Sequence, residues 1–461
     1  MSDIRASRRR ARLGLFLAGT LLGALPGAAL GQTLEDALSA AYMNNPRLLG
    51  GQAELRATNE AVPQAQSGWR PRVELSASAG LNRQSVDAGR GWDPETRRQR
   101  SAEVGVVQPL YRGGRTEAGV ARAENQVFGQ RAVLVDTEQA VLLDAVIAYM
   151  DVWRDEAEVE LNISSEQVIG RQLSAARDRF EVGETTRTDV AQAESRLSRA
   201  TAQRIAAEGQ LRSSRAIFRE VTGIPVGTLE APEPVRELPA SEFEAAEQAQ
   251  LANPQVVAAG FFERAAERAI RERYGELLPE VNLRAGASEG RDMQGRGVKT
   301  SSLSLIAEVT VPIYQQGLVS SQVREAKQTT SQRRLEMEQA RRAVEQEAIS
   351  AWESLASARA QIVSFDAEIQ AAEIALEGVR EEATVGARTV LDVLDQEQEL
   401  LDAQVNRVRA QRDEVVASFR LLAAVGRLTA GDLGLDVPLY DPELDYRAVR
   451  DRWYGLSVPN E

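Results

Sequence analysis

Neither cysteine nor histidine occurs anywhere in the 461 residues. Lacking cysteine, the chain has no disulfide, no thiolate metal site and no lipid carried on a processed N-terminal cysteine. Lacking histidine, it has no imidazole base and none of the commonest metal ligand. Ser/His/Asp and Cys/His catalysis and the usual zinc sites are therefore excluded. The chain reads as a protein that is not an enzyme and uses no cofactor or metal. Proline is missing from two long stretches, from Leu110 to Ile224 and from Ile313 to Val437, so nothing there forces a helix to break. The apolar run from Leu13 to Leu25 is too short for a membrane-spanning helix, which needs ~20 residues. It follows Arg5, Arg8, Arg9, Arg10 and Arg12 and precedes Ala29-Leu30-Gly31, the pattern of a cleavable export signal over residues 1–31. That segment takes five Arg and one Asp with it, moving the net charge from −13 to −17. Such an acidic chain is not a nucleic-acid binder.

What the sequence does contain is a duplication. Asn45-Pro46 recurs as Asn253-Pro254, and Pro71-Arg72-Val73-Glu74-Leu75 as Pro279-Glu280-Val281-Asn282-Leu283, both 208 residues later. Pro109-Leu110-Tyr111 with Gly114 recurs as Pro312-Ile313-Tyr314 with Gly317, now 203 residues later. Val182-Gly183 with Asp189-Val190 recurs as Val385-Gly386 with Asp392-Val393, and Gly223 as Gly426, at the same 203. One length difference of five residues, between Pro71 and Pro109, accounts for both offsets. The chain divides into a first repeat at 32–223, a linker at 224–240, a second repeat at 241–426 and a C-terminal segment at 427–461. Units of this length are not the ~20–50-residue repeats of a solenoid.

Each repeat opens with two shorter helical stretches, 34–42 and 46–68 in the first copy, 242–251 and 254–277 in the second. Asn-Pro marks the start of the second of these, with Pro at the first helical position. After Pro71 the apolar period becomes two. Val73, Leu75, Ala77, Ala79 and Leu81 lie on one face, and Val281, Leu283, Ala285 and Ala287 repeat the pattern. Returning segments at 102–107 and 303–311 complete two β-hairpins with strands of about 8–11 residues. Their loops are expected at 83–100 and 289–300. A very long helix and a shorter one then follow in each copy, broken at Val182-Gly183 and Val385-Gly386. The long helix of the second copy, 317–383, would extend ~100 Å at 1.5 Å per residue. Trp352, Leu355, Ala358, Ile362, Phe365, Ile369, Ala372, Leu376 and Val379 step along it at coiled-coil spacing. The fold class is mainly α with a small β part.

Spacing alone fits a coiled-coil structural protein without a pore, or a periplasmic adaptor with a helical hairpin. The β-hairpins argue otherwise. An isolated hairpin is barely stable in water, whereas dyad-alternating strands of this length suit an outer-membrane barrel. A spanning sheet must close so that every backbone group is paired. Two chains of four strands give an eight-stranded barrel, which side chains fill. Three chains give twelve strands and an open lumen.

Four motifs add a family resemblance. They are Pro109-Leu110-Tyr111-Arg112-Gly113-Gly114-Arg115, Phe180 with Val182-Gly183, Thr188-Asp189-Val190, and Val385-Gly386 with Arg388, Asp392-Val393-Leu394-Asp395. Through them the chain resembles the TolC family of bacterial outer-membrane efflux and export ducts, over essentially all its mature length. The resemblance implies a homotrimer: a 12-stranded barrel in outer-membrane lipid, continued by a periplasmic helical tunnel. It also implies a belt from the linker and the C-terminal segment around the tunnel's middle. Docking partners would be an inner-membrane transporter and its periplasmic adaptor. The Arg112-Gly113-Gly114-Arg115 form of the hairpin exit resembles members tied to type I secretion, and the lack of an N-terminal lipid-bearing Cys resembles the unlipidated ones.

By the same resemblance the tunnel closes at the helix turns Val182, Gly183, Val385 and Gly386. Asp392 and Asp395 match the carboxylates that ring the closed aperture, and repulsion among six of them in a trimer should raise some of their pKa values. Asp189, Thr188 and Arg388 match the family's latch. Ala383 stands where a well-known member carries a tyrosine, so a latch through that hydroxyl is absent. Independently, Thr186 to Asp189 and Thr389 to Asp392 read as helix capping boxes, a role that can coexist with the gate.

Overall fold

The computed structural model describes residues 32–87, 92–235 and 237–458. The export signal assigned to residues 1–31 lies outside the described residues. The element order is duplicated. In the first copy α1 (Leu34–Asn44), α2 (Pro46–Asn59) and α3 (Ala61–Gln66) lead into β1 (Arg72–Asp87) and β2 (Trp92–Arg112). Two helices follow, α4 (Arg115–Glu181) and α5 (Arg187–Thr222). In the second copy α6 (Glu242–Ala252) and α7 (Pro254–Tyr274) precede β3 (Glu280–Arg291), β4 (Lys299–Thr310), α8 (Leu318–Thr384) and α9 (Val390–Ala424). A final helix, α10 (Pro442–Arg450), closes the chain.

The recurring Asn-Pro has a specific structural task. Asn45 and Asn253 each accept the N–H two residues on, at 2.9 Å, capping α2 and α7. Their side-chain amides donate at 2.9 Å to Val221 O and Ala424 O, carbonyls in the last turns of α5 and α9. One residue thus starts one helix and satisfies the end of another. The two copies part at Pro63. The expected helix over 46–68 is divided at Glu60 into α2 and α3, because the Pro63 ring clashes with the carbonyl four residues back. The counterpart α7 has no internal proline and runs unbroken for 21 residues.

The long helices match the sequence reading closely: α4 and α8 are both 67 residues. The strands do not. β1 and β2 have 16 and 21 residues, β3 and β4 12 each, longer than the expected 8–11. Most of the segment 83–100, expected as a loop, is paired strand, from Arg83 opposite Thr96 to Asp87 opposite Trp92. Likewise β3 continues to Arg291 and β4 begins at Lys299. The apolar alternation fades after Leu81, but the backbone ladder needs only N–H and C=O groups, and polar pairs carry it on. Arg97, for example, donates to Gln84 across the hairpin at 2.9 Å.

The four strands form one antiparallel sheet in the order β1-β2-β3-β4. Register fixes its faces, since residues directly opposite share a side. Val73, Val106, Ala285 and Leu305 form one cross-sheet row, and Leu75, Val104, Ala287 and Leu303 the next. The opposite face carries Ser76, Glu103, Ser288 and Ser302, with hydroxyl pairs Ser78–Ser101 and Ser288–Ser302 at 2.8 Å. The expected apolar alternation is therefore a single continuous face. It is uncovered: Leu75, Leu303 and Leu305 are 76%, 88% and 71% exposed.

The main core lies away from the sheet, where the short helices pack on the long ones. Leu38, Leu48, Leu55, Leu142, Tyr149 and Phe218 are buried there with Val416 and Leu428. The linker and C-terminal segment join the same cluster through Ile224, Val226, Leu229, Leu435 and Tyr446. The Tyr149 hydroxyl lies 2.7 Å from Gln32 O and 2.8 Å from Glu230 O. Burial pushes that phenol up to about 12, so it stays a donor.

Candidate functional site

The two helix turns that end the long hairpins are built alike. Gly183 and Gly386 have φ of 82° and 77°, a left-handed conformation that glycine adopts without penalty. Around them Glu184 N donates to Arg179 O at 2.8 Å and Ala387 N to Glu382 O at 2.9 Å. Paired with the Gly183-to-Phe180 and Gly386-to-Ala383 bonds, which span three residues, these close each helix in a Schellman motif. Val182 and Val385, beside the glycines, are 71% and 79% exposed. Apolar side chains are thus held out in the open at the far ends of ~100 Å helices.

The next helix in each copy opens with the capping box read from the sequence. The Asp189 carboxylate accepts from Thr185 Oγ1 at 2.7 Å, Thr186 Oγ1 at 2.8 Å and Thr186 N at 3.0 Å. Asp392 accepts from Thr389 N at 2.8 Å and Thr389 Oγ1 at 2.9 Å. The Thr185 hydroxyl, with the Thr186 bonds, holds the Asp189 carboxyl below the usual range. The Thr389 backbone N–H, then its hydroxyl, does the same for Asp392. Within one chain, capping outweighs any upward push at Asp392.

The latch residues are close in sequence to these caps but are not joined to one another in the chain. Arg388 Nε donates to Glu382 Oε2 at 2.8 Å, inside its own turn. Thr188 is exposed beside Asp189. Close to the tips, a bond that does cross between the two helical hairpins is one the sequence reading missed. Arg196 on α5 donates to Asp395 Oδ1 on α9. Alongside it Leu394 is buried with Ile169, Leu173, Ala193 and Ala200. Asp392 and Asp395 share one side of α9, at i, i+3, while Leu394 inserts into the other hairpin.

Two further ion pairs brace the tips symmetrically. Arg177 pairs with Glu194 at 2.7 Å, and Arg380 with Glu397 at 2.5 Å. Both partners recur 203 residues apart, so tracing the duplication through charged residues would have found them. Arg196–Asp395 has no such copy, since Glu399 and Gln192 occupy the equivalent positions, and only the fold reveals it.

Among the described residues no group of three or more potential metal-ligating side chains converges, and no helix is long and apolar enough to cross a membrane. The tip offers a set of carboxylates, a cation that bridges two hairpins and exposed valines. Such a set can shape an electric field and hold or release a helical contact.

Comparison with known proteins gives a consistent picture. The sequence profile of the outer membrane efflux protein family matches residues 37–223 and 245–427. The outer membrane efflux protein BepC of Brucella suis is 38% identical, covering 99% of this chain and 98% of its own. The outer membrane protein TolC of Vibrio cholerae is 27% identical over 91% of this chain and 96% of its own. In three dimensions the Campylobacter jejuni CmeC outer membrane channel superposes with a TM-score of 0.78 at 14% identity, covering 91% of this chain and 89% of that one.

Proposed function

The chain belongs to the outer membrane efflux protein family, and on that premise we propose how it forms and gates a duct. The family is one of channel proteins rather than enzymes, and this chain is an outer-membrane exit duct for efflux or type I secretion. A pore-less adaptor or structural protein is not favoured. Three copies close a 12-stranded barrel in outer-membrane lipid, and their α4, α5, α8 and α9 helices continue it as a periplasmic tunnel. Residues 1–31 direct export and are removed. The linker 224–240 and the segment 427–461 brace the repeats 32–223 and 241–426 at the tunnel's waist.

The observation that carries this reading is the sheet. No further strand pairs with the outer edges of β1 and β4 among the described residues, and one face carries apolar rows whose Leu75, Leu303 and Leu305 are exposed. Unpaired edges and an apolar face are both untenable in water. Edge-to-edge closure with neighbouring copies in lipid resolves both. The lumen is passive, so energy comes from an inner-membrane transporter that engages, with its periplasmic adaptor, the tips at Val182, Gly183, Val385 and Gly386. Asp392 and Asp395 ring the closed aperture, with Asp189, Thr188 and Arg388 as latch.

Because the chain has no cysteine, introduced pairs give a clean test. Cysteines stepped along β1 and β4 should oxidise into a ladder ending at trimer. A ladder that stops at dimer, or extends without limit, would refute the closed twelve-stranded barrel.

A further inference from the structure

Beyond the apolar rows, the same face of the sheet changes character abruptly. Arg100, Arg291 and Lys299 stand directly opposite one another on β2, β3 and β4, the pairings being Arg100–Arg291 and Arg291–Lys299. Arg98 lies on the same face opposite Leu81, and Arg83 one step further along β1 opposite Thr96. All five side chains are exposed. Glu289 is the one described acid on that face near the row, and it pairs with Lys299 at 2.8 Å. Like charges opposite one another across strands are destabilising. The row therefore opposes the sheet's own stability unless an anion covers it.

Its position says which kind of anion. Lys299 is four residues beyond Leu303 and Arg100 four beyond Val104, about 14 Å along a strand at ~3.4 Å per residue. The apolar band of an outer-membrane barrel is about 25 Å tall, and cations at its margins cost far less than at its middle. The row lies toward the hairpin turns, away from the helices. The opposite face at this level is differently built: Arg97 pairs with Glu95 at 3.2 Å and donates to Gln84 and to Met293 O.

We propose that Arg100, Arg291 and Lys299, flanked by Arg98 and Arg83, form a site for the phosphate groups of a phosphorylated membrane lipid packed against the barrel's outer face. Guanidinium forks match phosphate oxygens two at a time, and the lipid's chains extend down the Leu75–Leu303 face below. The site rests on the reading of that face as lipid-facing.

The test uses the full-length trimer in nanodiscs of phosphatidylcholine doped with lipid A, either bisphosphorylated or dephosphorylated, and retained lipid is counted by native mass spectrometry. The parent should retain bisphosphorylated lipid A at least tenfold over the dephosphorylated form. The combined variant Arg100→Gln, Arg291→Gln, Lys299→Gln should lose that preference, while Arg284→Gln, on the other face, should keep it. A triple variant that inserts as trimer yet keeps the preference overturns the proposal. So does a parent that retains both forms equally, or whose preference is abolished by millimolar inorganic phosphate, which would indicate a free-phosphate site. A parent chain that never enters the nanodisc overturns the barrel reading along with it.

Discussion

Arg196 of α5 and Asp395 of α9 are joined by an ion pair that links the two helical hairpins of one chain close to their tips. The acid proposed for the aperture is thus neutralised in part by a cation of the same subunit. Asp392, one turn earlier, is held by its own cap instead. The two acids of one helix face have different partners and should behave differently.

Exposed ion pairs contribute only ~0–1 kcal/mol, so breaking this one should favour opening by less than about tenfold per subunit. Selectivity separates the two partners. Asp395→Asn removes an acid and leaves Arg196 unbalanced, lowering cation preference and block by trivalent cations. Arg196→Gln frees the Asp395 charge and should raise both. Planar-bilayer recordings of reversal potential check this, and shifts of the same sign in the two variants would break the assignment. The double variant should conduct little more than either single one.

Packing should outweigh charge in keeping the tip closed. Leu394 is 2% exposed among residues of α4 and α5, and truncating a buried leucine to alanine typically costs about 2–5 kcal/mol. Leu394→Ala should increase single-channel conductance and sensitivity to large antibiotics well beyond Arg388→Ser. The latter breaks only an exposed contact with Glu382. An Arg388→Ser effect equal to or larger than that of Leu394→Ala would show that the latch residue acts on a neighbouring subunit with force that packing does not supply.

The caps give the tips a pH dependence of definite sign. Asp189 and Asp392 have lowered carboxyl pKa values in the folded chain. Their contribution is present above the ordinary carboxylate value of about 3.9 and is lost as pH falls through the lowered folded values. A mobility probe at Ala387→Cys should be insensitive to pH from neutrality to about 5 and loosen below about 4. In Asp392→Asn it should be loosened throughout and lose most of this dependence. An unchanged acid transition in that variant would place the titrating group elsewhere.

The sequence made the helices legible because proline is absent and the tips are punctuated by Val-Gly, so α8 appeared nearly residue for residue. The strands were underestimated because apolar alternation marks only the stretch that faces apolar surroundings, and β1 and β2 continue as polar ladder past Leu81. The caps at Asp189 and Asp392 were readable as local motifs. Arg196–Asp395 was not, because its partners are 199 residues apart and depend on how α9 leans against α5, which Leu394 sets. No periodicity encodes that approach.

The hairpin exits give a test of backbone strain. Gly113 has φ of 62°, and a Cβ there would fall 2.3 Å from Gly275 O. Its counterpart 203 residues on is Gln316, also left-handed at φ 55°. A non-glycine residue in that conformation is disfavoured by roughly 1–2 kcal/mol. Gln316→Gly should be neutral or stabilising by up to about 1 kcal/mol once glycine's greater unfolded freedom is set against the strain. Gly113→Ala should destabilise by at least about 2 kcal/mol, through the clash as well as the strain. Thermal loss of the oligomer on semi-native gels reads both, and equal tolerance at the two positions would mean that the close approach to Gly275 does not persist in the assembled protein.

The faces of the sheet make the strongest claim about where this chain resides. Leu283 pairs with Ala307 on the apolar face, whereas Asn282, one residue earlier, shares the polar face with Glu308. A cation on a lipid-facing strand costs about 2–4 kcal/mol at the mid-plane and about 0–1 near the margins of the apolar band, repeated three times if three chains close the barrel. Leu283→Arg should therefore deplete the assembled protein from outer membranes, with the chain accumulating unassembled. Asn282→Arg adds a cation to the polar face, where Glu280 already lies 3.2 Å from the Asn282 amide, and should assemble normally. Charge matters here only through the solvent that each face meets, since adjacent positions in one strand have the same backbone environment. Equal assembly of the two variants would mean that the Leu283 face meets water, and the sheet would then need a different partner from lipid.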